Sequence, residues 1–115
     1  MKKTTKAKTK SKAKKILKTP QSFYNFFAAI PKKEWCVGEY TQLEGTVVQH
    51  CALGHLGFGP GKTSKNGKRL THLFAQKMQA GVVDINDGDG ELRFRQKHPK
   101  SRILAALIDC GAKKK

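Results

Sequence analysis

The stretch GFGPGKTSKNGK, residues 57–68, contains the residue types of a phosphate-binding loop. A P-loop places G-x-x-x-x-G-K-[ST] between a buried strand and a helix, so that backbone N–H groups surround the phosphates. Counted back from Gly61, the first glycine of that motif falls on Leu56, and Pro60 removes one N–H donor. We therefore interpret the stretch as a flexible loop whose cations contact phosphate only loosely. The basic residues in and beside it are Lys62, Lys65, Lys68 and Arg69.

A second stretch, DINDGDGE from Asp84 onward, contains the acids and glycines of a calcium loop. Such a loop needs a glycine at its sixth position and a glutamate at its twelfth. A start at Asp84 places Asp89 and Arg95 there, and a start at Asp87 fails in the same way. We therefore expect a polar turn in this region and not a calcium site.

Zinc is the third chemistry that the residue types suggest. Cys51 and His55 are separated by four positions, and Cys36 or His50 could join them. A convincing zinc pattern has two close pairs of ligands, and the second pair is missing. A cysteine on an apolar helix face is usually a small core residue. The sequence predicts neither a metal site nor a cofactor.

An enzyme built on this chain would depend on Cys51. At the start of a helix, the dipole favours the thiolate and lowers the pKa of the thiol. A base is then needed, and His72 and His98 are the candidates, with Asn86 or Asp87 orienting one of them. However, His72 lies in a predicted helix and His98 precedes a proline, which is not how small papain-like folds place their histidine. A non-enzymatic protein is favoured, and a cysteine hydrolase stays an alternative.

Basic residues are concentrated at the two ends of the chain. The 115 residues include 24 Lys+Arg against 8 Asp+Glu, and nine lysines lie in residues 2–18, which contain no acid. Three more lysines occupy 113–115, so residues 19–112 carry 12 basic and 8 acidic side chains, a net charge of +4. The nine lysines are Lys2, Lys3, Lys6, Lys8, Lys10, Lys12, Lys14, Lys15 and Lys18.

Residues 1–18 are predicted to be disordered on their own, because they contain few apolar side chains to bury. Lysine at this density binds polyanions by releasing their counterions, without sequence preference. We therefore expect nucleic acid as the partner, bound through its phosphate backbone by these lysines and by the four cations of residues 62–69. The alternatives are an anionic membrane surface and a solvated segment with no specific partner.

Neither a secretion signal nor a transmembrane helix is predicted. No apolar region follows the N-terminal lysines, and no run approaches the roughly 20 apolar residues that a spanning helix needs. The three cysteines are too few, and odd in number, for a disulfide scaffold. They fit a reduced, cytoplasmic compartment.

Apolar residues recur at helical spacing over residues 23–30, 70–78 and 103–108, which predicts three amphipathic helices. The residues predicted to begin or end these helices are Thr19 or Ser22, Pro31, Gly81, Pro99 and Gly111. Residues 57–68 are predicted to be a loop, and Val82 and Val83 to lead into a tight polar bend.

The remaining elements are a hairpin and a short helix. Glu44-Gly45 separates two short runs rich in β-forming residues, which predicts a β-hairpin with a glycine in its turn. Cys51, Leu53 and Leu56 then favour a short helix facing the core, with Gly54 allowing close packing against it.

Three stretches, EWCVGEYTQLEG, CALGHL and VVDINDG, followed by a closing helix, resemble a family of small uncharacterised proteins from bacteria and their phages. The positions that carry the resemblance are Trp35, Gly38, Cys51, Gly54, Leu56, Asn86 and Asp87. It covers about residues 23–110, and His55 departs from the small residue usual in that family. The resemblance implies a mainly helical single domain and no established activity.

These observations predict a mainly α fold of about four helices with a short β-hairpin. The domain spans residues 19–112, between the lysine-rich segment 1–18 and the basic end 113–115. Its expected function is non-specific association with nucleic acid. A hydrolase centred on Cys51 and a bacterial or phage protein-interaction module are the alternatives.

Overall fold

Helix α1, Pro20–Ala28, begins at a capping box. The Thr19 side chain accepts a hydrogen bond from the Ser22 amide at 3.0 Å, and the Ser22 hydroxyl accepts one from the Thr19 amide at 3.0 Å. Both bonds satisfy amides that the first helical turn leaves unpaired. Pro20 fits the first position because its fixed φ suits a helix and its missing N–H is not needed there. The predicted helix and its cap are confirmed.

A computed structural model describes residues 16–59, 61–88 and 95–114. Within these ranges four further α-helices and one hairpin follow α1. They are β1 Thr41–Glu44, β2 Val47–His50, α2 Ala52–His55, α3 Lys65–Met78, α4 Val82–Asp87 and α5 Pro99–Asp109, with a 3-10 turn at Lys32–Glu34. The predicted class, a mainly helical single domain with a β-hairpin, is confirmed.

The hairpin is antiparallel, and its register pairs Thr41 with His50 and Glu44 with Val47. Gly45 takes a φ of 63° in the turn, a conformation that favours glycine. The two glutamines Gln42 and Gln49 face each other across the strands. The predicted position of the hairpin is therefore correct.

The core is centred on α5, which packs against both α1 and α4, with α2 and α3 adding to it from the side of α4. Its large side chains are fully buried: Phe23, Phe27, Leu56, Leu70, Phe74, Ile85, Ile103 and Leu107. The three cysteines, Cys36, Cys51 and Cys110, are also buried and carry free thiols. The helical faces predicted from spacing supply most of this core.

Two predicted local structures are wrong. The loop predicted for residues 57–68 is shorter, because Ser64 caps α3 and Lys65 is already helical. Residues 82–87 form α4 and not a bend, and Gly81 is the N-cap of this helix. The helix before it ends instead at Gln79, whose φ of 55° is left-handed.

The packed part of the chain begins before residue 19. Leu17, which the sequence analysis placed in the lysine-rich segment, is 3% exposed and belongs to the core. Lysines on both sides hide this apolar position in the sequence. The prediction of disorder for residues 1–15 lies outside the described residues.

Candidate functional site

The lysine-rich segment joins the domain beside the start of α3. The Leu17 amide donates a hydrogen bond to Asn66 Oδ1 at 3.0 Å. Arg69 Nη1 donates to the same oxygen at 2.8 Å. Asn66 is the second residue of α3 and is 6% exposed. The buried side-chain oxygen of Asn66 therefore links Leu17, near the end of the lysine-rich segment, to Arg69 of α3.

The C-terminal lysines are tied to the first turn of α1. Gln21 Oε1 accepts from the Lys113 amide at 2.7 Å, and Gln21 Nε2 donates to the Lys113 carbonyl at 3.0 Å. Gln21 follows Leu17 by only four positions. The residues on either side of the start of α1 therefore contact the start of α3, through Leu17, and the C-terminal lysines, through Gln21.

We call this region the basic face and define it by Lys18, Lys62, Lys65, Lys68, Arg69 and Lys113. The lysines of this face are exposed, and Arg69 is partly buried. Of the predicted nucleic-acid-binding residues, Lys18, Lys62, Lys65, Lys68 and Arg69 lie here. Lys2 to Lys15 lie outside the described residues, and their role stays a prediction.

The start of α3 carries positive charge where a helix favours negative charge. Ser64 Oγ accepts from the Gly67 amide at 2.9 Å, and the first turn contains Lys65 and Lys68 but no acid. The partial positive charge of a helix N-terminus makes cations there unfavourable by a few tenths to about 1 kcal/mol. A bound phosphate would relieve this repulsion.

Cys51 lies at the start of a helix, as expected, but its pKa shifts in the opposite direction. Its Sγ accepts a hydrogen bond from the Gly54 amide at 3.4 Å, which favours the thiolate. Burial outweighs this bond and raises the pKa of the thiol. The expected low pKa is therefore wrong, because α2 has only four residues and Cys51 is only 5% exposed.

The other candidate catalytic residues make contacts of their own. His72 is exposed on α3. His98 caps α5, with Nδ1 accepting from the Lys100 amide at 3.0 Å and Nε2 lying 3.1 Å from the Lys32 carbonyl. The Asn86 side chain bonds to the backbone of two other segments and to Asp87 Oδ1. These contacts do not supply Cys51 with a base.

Beside Cys51, a chain of rings leads from the core to the hairpin. The His55 ring lies 4.8 Å from Trp35 and 5.1 Å from His50, measured between centroids. His55 Nε2 is buried and has no hydrogen-bond partner. Burial, and then the neighbouring His50, lowers the pKa of His55 from 6.5 to about 3, against a hydrogen bond to the Glu34 backbone. His55 is therefore neutral at pH 7.

Acidification is expected to destabilise the fold through His55. Its pKa is about 3 in the folded protein and near 6.5 when unfolded, so its contribution is complete above pH 6.5 and is lost as the pH falls toward 3. The loss reaches up to about 1.4 kcal/mol per pH unit in that window. Urea midpoints between pH 7 and pH 4 should show a smaller acid loss in His55→Gln than in wild type.

The control for that prediction is His72→Gln, which alters an exposed histidine. The acid loss of His55→Gln should be smaller than that of this control. His98, whose pKa burial also lowers, is present in all three proteins and cancels from the comparison. Equal acid sensitivity in wild type and His55→Gln would show that His55 is not the titrating group.

No group of three or more His, Cys, Asp or Glu side chains suited to a metal ion occurs among the described residues. Cys51 and His55, the nearest approach to a zinc pattern in the sequence, face different surroundings. The Cys51 sulfur lies against the Gly54 amide, whereas the His55 ring lies between Trp35 and His50.

Two concavities flank Asp87. The smaller has a volume of about 270 Å³ and is lined by Cys51, Tyr40, Val83, Glu39 and Gly38 as well as Asp87. The larger, of about 500 Å³, is an open groove that includes Cys36, Gln42, Gln49, Lys97 and His98. Cys51 thus lines one concavity and Cys36 the other, and Asp87 lies between them.

Comparison with known proteins gives no family, relative or structural neighbour from which a site could be transferred. No family model, curated protein or solved structure matches this chain. The resemblance described from the sequence therefore stays a prediction. No helix in the described part of the chain has the length and apolar character needed to cross a membrane.

Sequence reasoning identified the cations of the basic face but missed the residues that assemble it. Leu17, Gln21 and Asn66 carry no charge, and each acts through a partner far away in the sequence. The available signals were an apolar pair at 16–17 inside a lysine run and an asparagine in the first turn of a helix. Neither signal specifies its partner.

Proposed function

We propose that this protein associates with nucleic acid through the basic face and the lysine-rich segment that continues from it. The main support is the convergence of three basic segments. The Leu17–Asn66 bond joins the first to the second, and the two Gln21–Lys113 bonds bring in the third. These contacts support the proposal because they bring residues of three separate charge runs close to one another.

The physical basis is counterion release. Each lysine or arginine that neutralises a phosphate frees condensed cations from the polyanion, and the gain falls as salt rises. A surface built from several chain segments can contact several phosphates at once. Since no aromatic side chain is among the defined residues of the basic face, backbone contacts without sequence preference are expected.

The test measures binding of the full chain to a fluorescent DNA duplex across a salt series. In one variant the eight lysines of residues 2–15 are replaced by glutamine, which leaves Leu17 and the core intact. The logarithm of the binding constant should depend on salt with a slope that flattens by about 0.9 for each contact removed. RNA of matched length tests the preference between the two polymers.

A second variant examines the domain itself. Lys62→Gln, Lys65→Gln and Lys68→Gln together should flatten the slope by as much as about 2.7. The matched control removes three other exposed lysines, Lys32, Lys33 and Lys77, which lie outside the basic face. An equal effect of both triple variants would argue against a localised surface. An unchanged slope in the variant of residues 2–15 would refute the proposal.

A further inference from the structure

Cys36 and Cys51 lie on neighbouring chain segments that run in the same direction. Trp35 pairs with His50 in a parallel bridge, and the Cys36 amide donates to the His50 carbonyl at 3.0 Å. Paired segments lie about 4.8 Å apart. Cys36 and Cys51 are the residues that follow on the two segments, so their backbones are adjacent.

The side chains of Cys36 and Cys51 lie on the same side of the two paired segments. Trp35 and His50 both place their rings against His55. Trp35 and Cys51 have extended backbone, with ψ angles of 145° and 176°. Because successive side chains of extended backbone alternate, Cys36 and Cys51 both point away from His55.

Asp87 gives an independent indication that the two thiols share one side. Burial is the main cause of the raised pKa of each thiol, and it takes that of Cys36 to about 11. The Asp87 carboxylate contributes to both shifts, and the Cys51 thiol contributes to that of Cys36. Asp87 also lines both the pocket that includes Cys51 and the groove that includes Cys36, so both cysteines lie beside this residue.

The backbone around the pair is fixed by one side chain. Asn86 Nδ2 donates to the Cys36 carbonyl at 3.0 Å, and Asn86 Oδ1 accepts from the Ala52 amide at 2.9 Å. The Cys51 amide donates to the Tyr40 carbonyl at 3.2 Å, which folds the chain from 36 to 40 around Cys51. The Asn86 side chain and the bond from Cys51 to Tyr40 thereby fix the spacing between the backbones of the two cysteines.

We propose that Cys36 and Cys51 form a redox-active pair that closes to an intramolecular disulfide by exchange with a small disulfide. The separation expected for adjacent paired segments falls within the roughly 4.4–6.8 Å between Cα atoms that a disulfide accepts. The third thiol, Cys110, follows α5 at the other end of the sequence and takes no part. The new bond would close a loop containing the whole hairpin.

The exchange starts at Cys51, which lines the pocket of about 270 Å³ and whose sulfur accepts a hydrogen bond from the Gly54 amide at 3.4 Å. Its thiolate attacks one sulfur of the small disulfide, whose S–S bond breaks and releases one thiolate. The Cys36 thiolate then attacks the Cys51 sulfur and displaces the second small thiolate. The two leaving groups take up the two protons, so two protein thiols lose two electrons and one disulfide gains them.

The test treats the full-length native protein with bis(2-hydroxyethyl) disulfide, then quenches with acid, denatures, alkylates and digests with trypsin. Both cysteines fall in one tryptic peptide, residues 34–62, since no lysine or arginine lies between them, whereas Cys110 falls in residues 103–113. Reactive thiols should decrease from three to one. The peptide 34–62 should take no alkyl group and be lighter by two hydrogen atoms than its dithiol form.

The matched variants are Cys110→Ser and Cys36→Ser. In Cys110→Ser both remaining thiols should still be lost, whereas Cys36→Ser should give no peptide lighter by two hydrogens. The proposal is wrong if wild type keeps three reactive thiols while dithiothreitol is oxidised under the same conditions. It is also wrong if Cys36 and Cys51 each retain a hydroxyethylthio group, or if Cys110 enters the disulfide.

Discussion

Replacing Asn86 by alanine is expected to lower the free energy of unfolding by about 3 kcal/mol. The Asn86 side chain is fully buried and bonds to the Ala52 amide, to the Cys36 carbonyl and to Asp87 Oδ1. Alanine leaves a buried amide and a buried carbonyl without their partner, at about 1–3 kcal/mol for each unsatisfied group. It also leaves a small cavity. Urea unfolding followed by tryptophan fluorescence measures the change, since Trp35 is the single tryptophan.

The matched control is Asn25→Ala. Asn25 is exposed on α1 and accepts one side-chain hydrogen bond, from Gln21 Nε2 at 3.1 Å. Exposed substitutions of this kind usually change stability by no more than about 0.5 kcal/mol. If Asn86→Ala unfolded at the same urea concentration as Asn25→Ala, the bonds from the Asn86 side chain to the segments of Cys36 and Ala52 would not stabilise the fold.

Gly54→Ala is expected to destabilise the protein by about 2–3 kcal/mol, although alanine is the better helix former. A Cβ at this position would overlap the Tyr40 carbonyl oxygen and would lie 3.0 Å from its carbon and 3.1 Å from His50 Cβ. These neighbours are backbone or the first atom of a side chain, so none can rotate away. The overlap can be removed only if α2 moves away from Tyr40, the residue before β1. This movement weakens the 3.2 Å hydrogen bond between the Cys51 amide and the Tyr40 carbonyl.

Gly59→Ala is the matched control for Gly54→Ala, because it adds the same methyl group to a glycine. No atom lies within 4 Å of a Cβ built there, and Gly59 does not have a positive φ. Its urea midpoint should stay within about 0.5 kcal/mol of wild type when converted with a common slope. A Gly54→Ala protein as stable as Gly59→Ala would show that the close approach is not required.

Sequence patterns correctly predicted the helices and the hairpin that are determined by residues close together in the sequence. Thr19 and Ser22 stand where a capping box needs them, and the apolar spacing of residues 23–30 gives α1 its buried face. Glu44-Gly45 supplies the turn of the hairpin. In α5, Ile103 and Leu107 are buried as expected, but Ile108 is 42% exposed because the helix buries Ala106 instead.

Helix α4 could not be predicted from its own six residues. A helix this short is not stable alone, because too few hydrogen bonds offset the cost of nucleation. Arg102, on α5, supplies the missing stabilisation: its guanidinium donates to the Ile85 carbonyl at 2.9 Å and to the Asn86 carbonyl at 2.6 Å. The stabilising residue lies 16 to 17 positions away, beyond the range of any periodic pattern.

For the candidate site, the sequence likewise predicted the identity of the charged residues but not their arrangement. Composition was enough to identify the cations, since charge is visible in the sequence regardless of fold. Their arrangement depends on contacts between residues 49 positions apart, Leu17 and Asn66, and 92 positions apart, Gln21 and Lys113. The low pKa expected for Cys51 failed for a related reason, because burial is a property of the packed core and not of the motif.

The two bonds between Gln21 and Lys113 also make the entry and the exit of the packed chain immediate neighbours. A polypeptide whose ends meet can be inserted into a surface loop of a host protein with little distortion of either partner. Grafted in this way between residues 16 and 114, the unit should fold as an insertion without long spacers. The same proximity makes it a suitable parent for circular permutation, with new ends opened in the hairpin turn.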